Sequence, residues 1–350
     1  MFERVIPHIS RCLVSSEVIS LFRELFEKFP AKLTDDGLFE CPLGLYDAVS
    51  DLSLFVNDKG REIIAGKREG AEIEDSFLRS KVWKRIRSFC EKWFLREIYQ
   101  NKGGMWLEFD LESLWKAVPL PGIFFNGRIS AEKDLLSHKL NRYKCLINGL
   151  EYLKGRPLKK EIKDNLIYCL DAFSENGRLD FVALMPARPL NAVRVVIRIP
   201  EGELKDYLSL VKYPGDIQVL LELVKELSQF TNLRYNLDIS HKVMSRTGIE
   251  CFLKDKKKAH KEKWGRFLNH LVERSLCVPE KKDALMDWLG HTYVALPQGT
   301  EPYYIFRRIC HIKVVYDKDK PLLAKAYPEF FRITETDVII NSISKSCNTM

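Results

Sequence analysis

Two short alternating segments near the C-terminal end, His311-Ile312-Lys313-Val314-Val315-Tyr316 and Leu323-Ala324-Lys325-Ala326-Tyr327, place polar chemistry on one face of a hairpin. Successive strand side chains point to opposite faces, so His311, Lys313 and Val315 share one face, as do Lys325 and Tyr327. Asp317-Lys318-Asp319-Lys320-Pro321 supplies the turn. The pattern recurs upstream. Trp106, Glu108 and Asp110 oppose Met105, Leu107, Phe109 and Leu111, and Arg194 and Arg198 oppose Val193, Val195, Ile197 and Ile199. Asn236 and Asp238 oppose Leu237 and Ile239, and Glu250 and Phe252 oppose Ile249, Cys251 and Leu253. If these polar faces converge, Arg194, Arg198, Lys313 and Lys325 together suit a polyanion such as a diphosphate, arginine giving forked donors and lysine a point charge. Trp106, Phe252 and Tyr327, with His311 beside them, could shield a developing cation through their π faces. Glu108, with Asp110 two residues on, is the candidate general base. Each charge also has a plainer reading as half of a structural ion pair, because an unpaired buried charge is costly.

The segments between these strands read as helices. Residues 1–37 form a helical leader, with Val14, Val18, Leu21, Phe22, Leu25, Phe26 and Phe29 in helical period and Pro30 as its end. Residues 48–56 alternate and run into Asn57-Asp58-Lys59-Gly60, a turn signal that predicts a return strand over 61–65. Residues 76–99 read as one long amphipathic helix that ends at Gly103-Gly104. Residues 123–126 are the partner of the Trp106 strand, and Ser130 is a candidate N-cap for the helix that follows. Helices are expected over 159–173, 203–211, 216–229 (capped by Asp216), 263–274 and 279–289, with hairpins at 180–185/192–199 and 233–240/248–253. The domain reading is a helical extension over 1–37, one domain over 38–331 and a peripheral tail over 332–350.

Composition narrows the classes. A chain of 350 residues with 46% hydrophobic and 30% charged residues has an ordinary globular balance. No apolar run approaches the ~18 residues of a membrane span, and Met1-Phe2-Glu3-Arg4 does not open a signal peptide. Nine cysteines never fall as Cys-x-x-Cys and mostly sit in apolar segments, which suits thiols in a reducing cytoplasm. No His-Glu-x-x-His or paired-cysteine spacing marks a zinc site. The net charge of +8 leans on the run Lys254 to Lys263, six lysines and His260 in ten residues. That run is either a solvated loop and helix start or a patch for an anionic partner, and no nucleic-acid-binding signature accompanies it.

The order is two strands, then one or two helices, repeated through five hairpins and ten strands. This is an α+β pattern. If every apolar strand face packs on helices, the polar faces must meet, and a closed antiparallel ten-stranded barrel of ββαα units, helices outside, satisfies both demands without a sheet edge. The alternative is a two-layer sandwich with its polar face in water.

This order resembles that of the ABBA, or PT-barrel, aromatic prenyltransferases, over roughly residues 45–330. The resemblance implies transfer of a prenyl group from an allylic diphosphate to an electron-rich acceptor, aromatic or the side chain of a peptide. In that family a carboxylate on an early barrel strand acts as base, and Glu108 in Trp106-Leu107-Glu108-Phe109-Asp110 sits comparably. The family's Lys-x-Tyr arrangement, which holds diphosphate and shields the allyl cation, is matched by Lys325-Ala326-Tyr327, with Arg194, Arg198 and Lys313 as the other diphosphate ligands. No Asp-Asp-x-x-Asp metal motif is present, and Asp35-Asp36 lacks the third member. The resemblance implies no required cofactor. The acidic residues Glu108, Asp110, Asp238 and Glu250 leave open an enzyme that holds Mg2+. A reading from another class is a non-catalytic binding or scaffold protein that docks an acidic partner on the polar sheet face or on the Lys254–Lys263 run.

Overall fold

In the computed structural model, residues 1–69, 73–94, 104–130, 136–188, 191–254, 260–295, 301–334 and 336 are described. Alternation governs their arrangement. Eleven strands form in chain order: β1 Asp36–Pro42, β2 Asp51–Val56, β3 Met105–Phe109, β4 Gly122–Ser130, β5 Arg178–Leu184, β6 Val193–Arg198, β7 Thr231–Ile239, β8 Val243–Leu253, β9 Gly290–Val294, β10 Tyr303–Tyr316 and β11 Leu323–Thr334. Each of β1 to β7 pairs antiparallel with the next, β8 pairs with β10, β10 with β11, and β11 with β1. Lys325 shows the closure in one residue, lying opposite Lys313 on one side and Pro42 on the other. Ten strands therefore form a closed antiparallel barrel, and the sandwich alternative is excluded. The eleventh, β9, lies outside the ring against Tyr303–Arg307, the part of β10 that extends past its pairing with β8.

Helices cover the outside of the ring. Its outward-facing residues are the apolar halves of the alternating strands: Phe39, Leu52, Leu54, Phe109, Phe125, Val195, Leu237, Cys251 and Ile312 are all buried. The helix Ser16–Glu27, capped by Ser15 Oγ accepting from the Val18 N–H at 3.3 Å, lays Phe22 flat on Phe39 of β1, centroids 5.6 Å apart. Lys81–Phe94 brings Phe89 to 5.3 Å from Phe125 of β4, and its Trp83 donates from Nε1 to the Pro119 carbonyl at 2.9 Å. Pro279–Trp288 packs Trp288 edge-on against Phe39, its indole N–H donating to the Arg308 carbonyl at 3.0 Å. The expected N-cap of Ile217–Ser228 forms, with Asp216 accepting from the Val219 N–H at 3.1 Å.

Four expectations are corrected. Residues 61–65 are not a return strand but belong to the helix Asp58–Ile64, and Asn57 caps it by accepting from the Gly60 N–H at 3.0 Å. A short Asn-Asp-Lys-Gly segment can open a helix or turn a hairpin, and burial of Ile63 and Ile64 on the helical side decides. The true partner of β2 is β1, which begins inside the expected leader and carries the chain into the ring at Asp36. Residues 76–94 are not one helix: Asp75–Arg79 and Lys81–Phe94 are separated at Ser80, whose ψ of 133° is extended. Ser130 ends β4, opposite Arg178, and the segment 131–135 in which its helix is expected to start lies outside the described residues. Asp110 and Leu111 lie past the end of β3, where the short helix Leu111–Leu114 begins. The tail beyond Thr334 apart from Thr336, the end of the 76–99 segment and Asp255 to Ala259 of the basic run lie outside the described residues.

A bulge in β10 has a direct effect on the lumen. Ile309 pairs with Pro328 and His311 with Tyr327, leaving Cys310 as the extra residue. An extra residue reverses the alternation. Before it Phe306 and Arg308 line the cavity, and after it His311 and Lys313 do.

Candidate active site

The barrel interior holds two adjoining chambers. The larger, about 750 Å3, is walled by Trp106, Phe124, Phe181, Phe252, Phe306, Tyr327 and Phe331, with Glu250, Arg234, His311 and the Trp264 indole among them. The smaller, about 340 Å3, is polar, with Arg188, Arg194, Arg246, Lys313 and Lys325 facing Glu40, Glu108 and Asp238. Glu108, Asn236 and Lys313 line both. Gly248 keeps the polar chamber open, since a Cβ there would lie 3.2 Å from both Asn236 Cβ and the Lys313 side chain.

The centre of the polar chamber is Glu40, which the sequence reading does not single out. It stands on β1, 4% exposed, and accepts from Lys325 Nζ, from the Tyr327 hydroxyl and, at 3.2 Å, from Lys313 Nζ. Burial alone would push its pKa up, but the two ammonium groups and these hydrogen bonds hold it well below the usual carboxylate range. Glu108 is also buried, two strands further round on β3, and accepts from Arg188 Nη2 at 2.7 Å. Burial and then the Glu40 charge raise its pKa, against the pull of Arg188. Arg188 also donates from Nε to Asp110 at 3.0 Å, so the loop after β5 ties both predicted acids to one guanidinium. Arg188 itself lies in no alternating run and is missed by sequence reasoning for that reason.

The four predicted diphosphate ligands divide. Arg194, Lys313 and Lys325 come together in the polar chamber. Arg198 does not line it. It sits four residues further along β6, roughly 13 Å at ~3.3 Å per residue, and donates to Asp180 at 3.0 Å, a carboxylate shared with Arg234. Arg194 is forked onto Asp238 at 2.8 and 3.0 Å. The resident ion pairs are therefore real, and the donors a polyanion needs are already ordered by carboxylates.

The predicted aromatic group does assemble. His311 stacks on Tyr327 at 4.0 Å and on Phe252 at 4.9 Å. Burial depresses its pKa to about 4, so the ring is neutral at pH 7. Lys313 Nζ lies 4.6 Å from the Tyr327 ring centre, directly at the junction of the chambers. Trp106 faces the larger chamber, tilted against Phe55 at 5.1 Å. The acids proposed as Mg2+ ligands do not converge. Glu108 and Asp110 meet Arg188, Asp238 meets Arg194, and Glu250 accepts from Asn236 at 2.8 Å. No group of three or more metal-ligating side chains forms among the described residues, and no helix among them is long and apolar enough to cross a membrane.

Asp51 of β2, opposite Glu40 in register, gives the site a pH signature. Burial, and then the Glu40 charge, raise its pKa to about 7, although it accepts from the Leu111 N–H at 2.8 Å. A carboxyl whose folded pKa is raised loses stabilisation as pH climbs from its unfolded pKa, ~3.9, to its folded one, after which the loss is constant. Asp51→Asn keeps an oxygen for Leu111 and has no charge to bury. Its stability is expected to exceed that of the native protein at pH 8 by up to about 4 kcal/mol, seen as a higher melting temperature, and to match it at pH 4. Thermal melts at the two pH values check this, and a variant less stable at pH 8 would contradict it.

No protein-family model matches the sequence, and no curated protein sequence matches it. Solved structures match the fold along nearly its whole length. PriB bound to product diphosphate is 12% identical at a TM-score of 0.53, over 93% of this chain and 95% of that one. PriB with L-tryptophan and dimethylallyl thiolodiphosphate is 12% identical at 0.52, over 93% of each. The 5-dimethylallyltryptophan synthase from Streptomyces coelicolor is 12% identical at 0.52, over 93% and 94%. The chain thus has the PT-barrel fold of the ABBA prenyltransferases, as the order of its strands and helices predicts. The individual relatives it resembles in fold are tryptophan-binding and dimethylallyltryptophan-forming proteins.

Proposed function

We propose that this protein is a prenyltransferase that moves a prenyl group from an allylic diphosphate to an electron-rich acceptor. The observation that carries the reading is the division of the lumen: a cationic chamber and an aromatic chamber that meet at Glu108, Asn236 and Lys313. Arg194, Lys313 and Lys325 hold the diphosphate, with Arg246 at the same chamber, and the prenyl chain extends into the aromatic chamber. Arg198 has no part in the diphosphate site and orders the far end of the lumen with Asp180. Cleavage of the C1–O bond leaves an allyl cation beside the bound diphosphate. Tyr327, Trp106 and Phe252 face that cation with their π clouds. The acceptor carbon attacks C1, and the proton it loses passes to Glu108, whose raised pKa makes it a stronger base than an ordinary carboxylate.

An aromatic ring is the acceptor that the walls favour. The solved neighbours of this fold bind tryptophan, diphosphate and a dimethylallyl donor analogue, and the larger chamber is lined by seven phenylalanine, tyrosine and tryptophan side chains before the Trp264 indole is counted. An aromatic side chain within a peptide presents the same ring and is the second acceptor class. A thermal-shift titration with dimethylallyl and geranyl thiolodiphosphates, against pyrophosphate, tests the donor half. Saturable stabilisation larger for the prenylated compounds than for pyrophosphate is expected, because they fill both chambers. Absence of a shift with any of the three would overturn the reading and leave the binding-protein alternative.

A further inference from the structure

Almost every carboxylate described in the lumen meets a cation: Glu40 meets Lys313 and Lys325, Glu108 and Asp110 meet Arg188, Asp238 meets Arg194, and Asp180 meets Arg198 and Arg234. Asp51 meets a backbone N–H in place of a cation. Asp36, at the start of β1, and Glu250 of β8 have no ion pair among the described residues, and of the two only Glu250 lines a chamber. It is 9% exposed, lines the aromatic chamber and has one hydrogen bond, from Asn236 Nδ2 to its Oε1 at 2.8 Å. Lys313 lies directly opposite in the ladder, yet its ammonium group is placed at Glu40. Arg234, its other ladder neighbour, stacks over Phe252 at 4.3 Å and pairs with Asp180. No cation among the described residues forms an ion pair with Glu250.

A second unfilled partner lies in the same chamber. His311 is buried, and its Nδ1 has no hydrogen-bond partner among the described residues. Glu250 exerts the strongest charge acting on that ring. A carboxylate left without a cation in a low-dielectric cavity, next to an unfilled imidazole nitrogen and the π faces of Phe252 and Tyr327, is a site for a positive group supplied by a ligand. We infer that Glu250 and His311 recognise a protonated amine on the acceptor, so that the enzyme selects an aromatic amine or amino acid. This inference deepens the prenyltransferase reading and rests on it for the word acceptor. Glu250 is a specificity residue and takes no part in proton removal from the ring.

The test is calorimetric titration of the full chain with tryptamine and with 3-ethylindole, its counterpart without the ammonium group, each with and without dimethylallyl thiolodiphosphate. Tryptamine is expected to bind at least tenfold more tightly. Glu250→Gln, which keeps an oxygen for Asn236, is expected to bring the two compounds to within about twofold while leaving thiolodiphosphate affinity unchanged. Equal binding of the two indoles by the native protein, failure of both to bind, or a preference that survives in Glu250→Gln would each overturn the inference. Tryptamine preference without thiolodiphosphate binding would keep the amine site and remove the prenyltransferase reading, so the two failures are separable.

Discussion

Glu108→Gln is expected to lower turnover by about 100-fold or more, within the range that positioned general bases contribute, while the protein stays folded and binds the donor as before. Glutamine keeps an oxygen for the Arg188 donor, which lies 2.7 Å from Glu108 Oε1. It also removes a buried carboxyl that burial and the Glu40 charge already disfavour as an anion. Only basicity is lost. The pH profile carries the sharper signature. Because the Glu108 pKa is raised, activity should climb with pH through a limb above the ordinary carboxylate range and flatten once Glu108 is ionised. The variant should lack that limb. Turnover by the variant within twofold of the native value would remove Glu108 from the chemistry.

The second large effect concerns the lysines. Lys325→Met keeps the aliphatic stem and removes the charge that pairs with Glu40. Hydrogen bonds to charged groups contribute ~1.5–3 kcal/mol, so diphosphate affinity is expected to fall roughly 10- to 100-fold. Folding stability should fall as well, because Glu40 is left with Lys313 and Tyr327 alone. Glu40→Gln should act with the opposite sign on affinity. Glu40 occupies the donors of Lys313, Lys325 and Tyr327 that an incoming diphosphate must share, and neutralising it removes a competing anion. Pyrophosphate is expected to bind this variant about tenfold more tightly. Titration of both variants measures the pair of effects. Weaker binding in both would mean that Glu40 supports the diphosphate site and does not compete with it.

The alternating strands were legible because an enclosed polar lumen and a helix-covered outer face impose period two on every hairpin. Glu108, Arg194, Lys313, Lys325 and Tyr327 were read from that period alone and do share the lumen. Glu40 was not, although it is the hub. Its strand is seven residues long, begins at Asp36-Gly37 and ends at Pro42, so it resembles a loop between a helix and the next strand. The signal lay in Leu38 and Glu40 alternating with Phe39 and Cys41, too short to outweigh its flanks. Arg188 stands on a loop, where no period exists to place it. Arg198 fails for the converse reason. The period gives the correct face but says nothing of height along the barrel, and four residues separate it from the polar chamber. The Asn57-Asp58-Lys59-Gly60 turn failed because local chemistry allowed two outcomes, which burial of Ile63 and Ile64 resolved.

The lumen also shows how a proposed diphosphate site can hold Asp110, Asp238 and Glu40 as well as its cations. Its carboxylates are spent on fixing the rotamers of arginine and lysine, which lowers the ordering cost when a polyanion arrives. Asp110 holds Arg188 and Asp238 holds Arg194 in this way. Glu40 is more tightly held, and its depressed pKa means that it stays an anion at every pH where the enzyme would work. In the proposed site a diphosphate would bind beside an anion, which predicts modest donor affinity in the native protein.

A crystal structure with dimethylallyl thiolodiphosphate tests the two-chamber account most directly. The account predicts the diphosphate within hydrogen-bonding distance of Arg194, Lys313 and Lys325, and the dimethylallyl group across the Glu108 and Lys313 junction against Tyr327 and Trp106. A diphosphate bound outside the barrel, or at Arg198 with the prenyl group pointing away from Glu108, would contradict it.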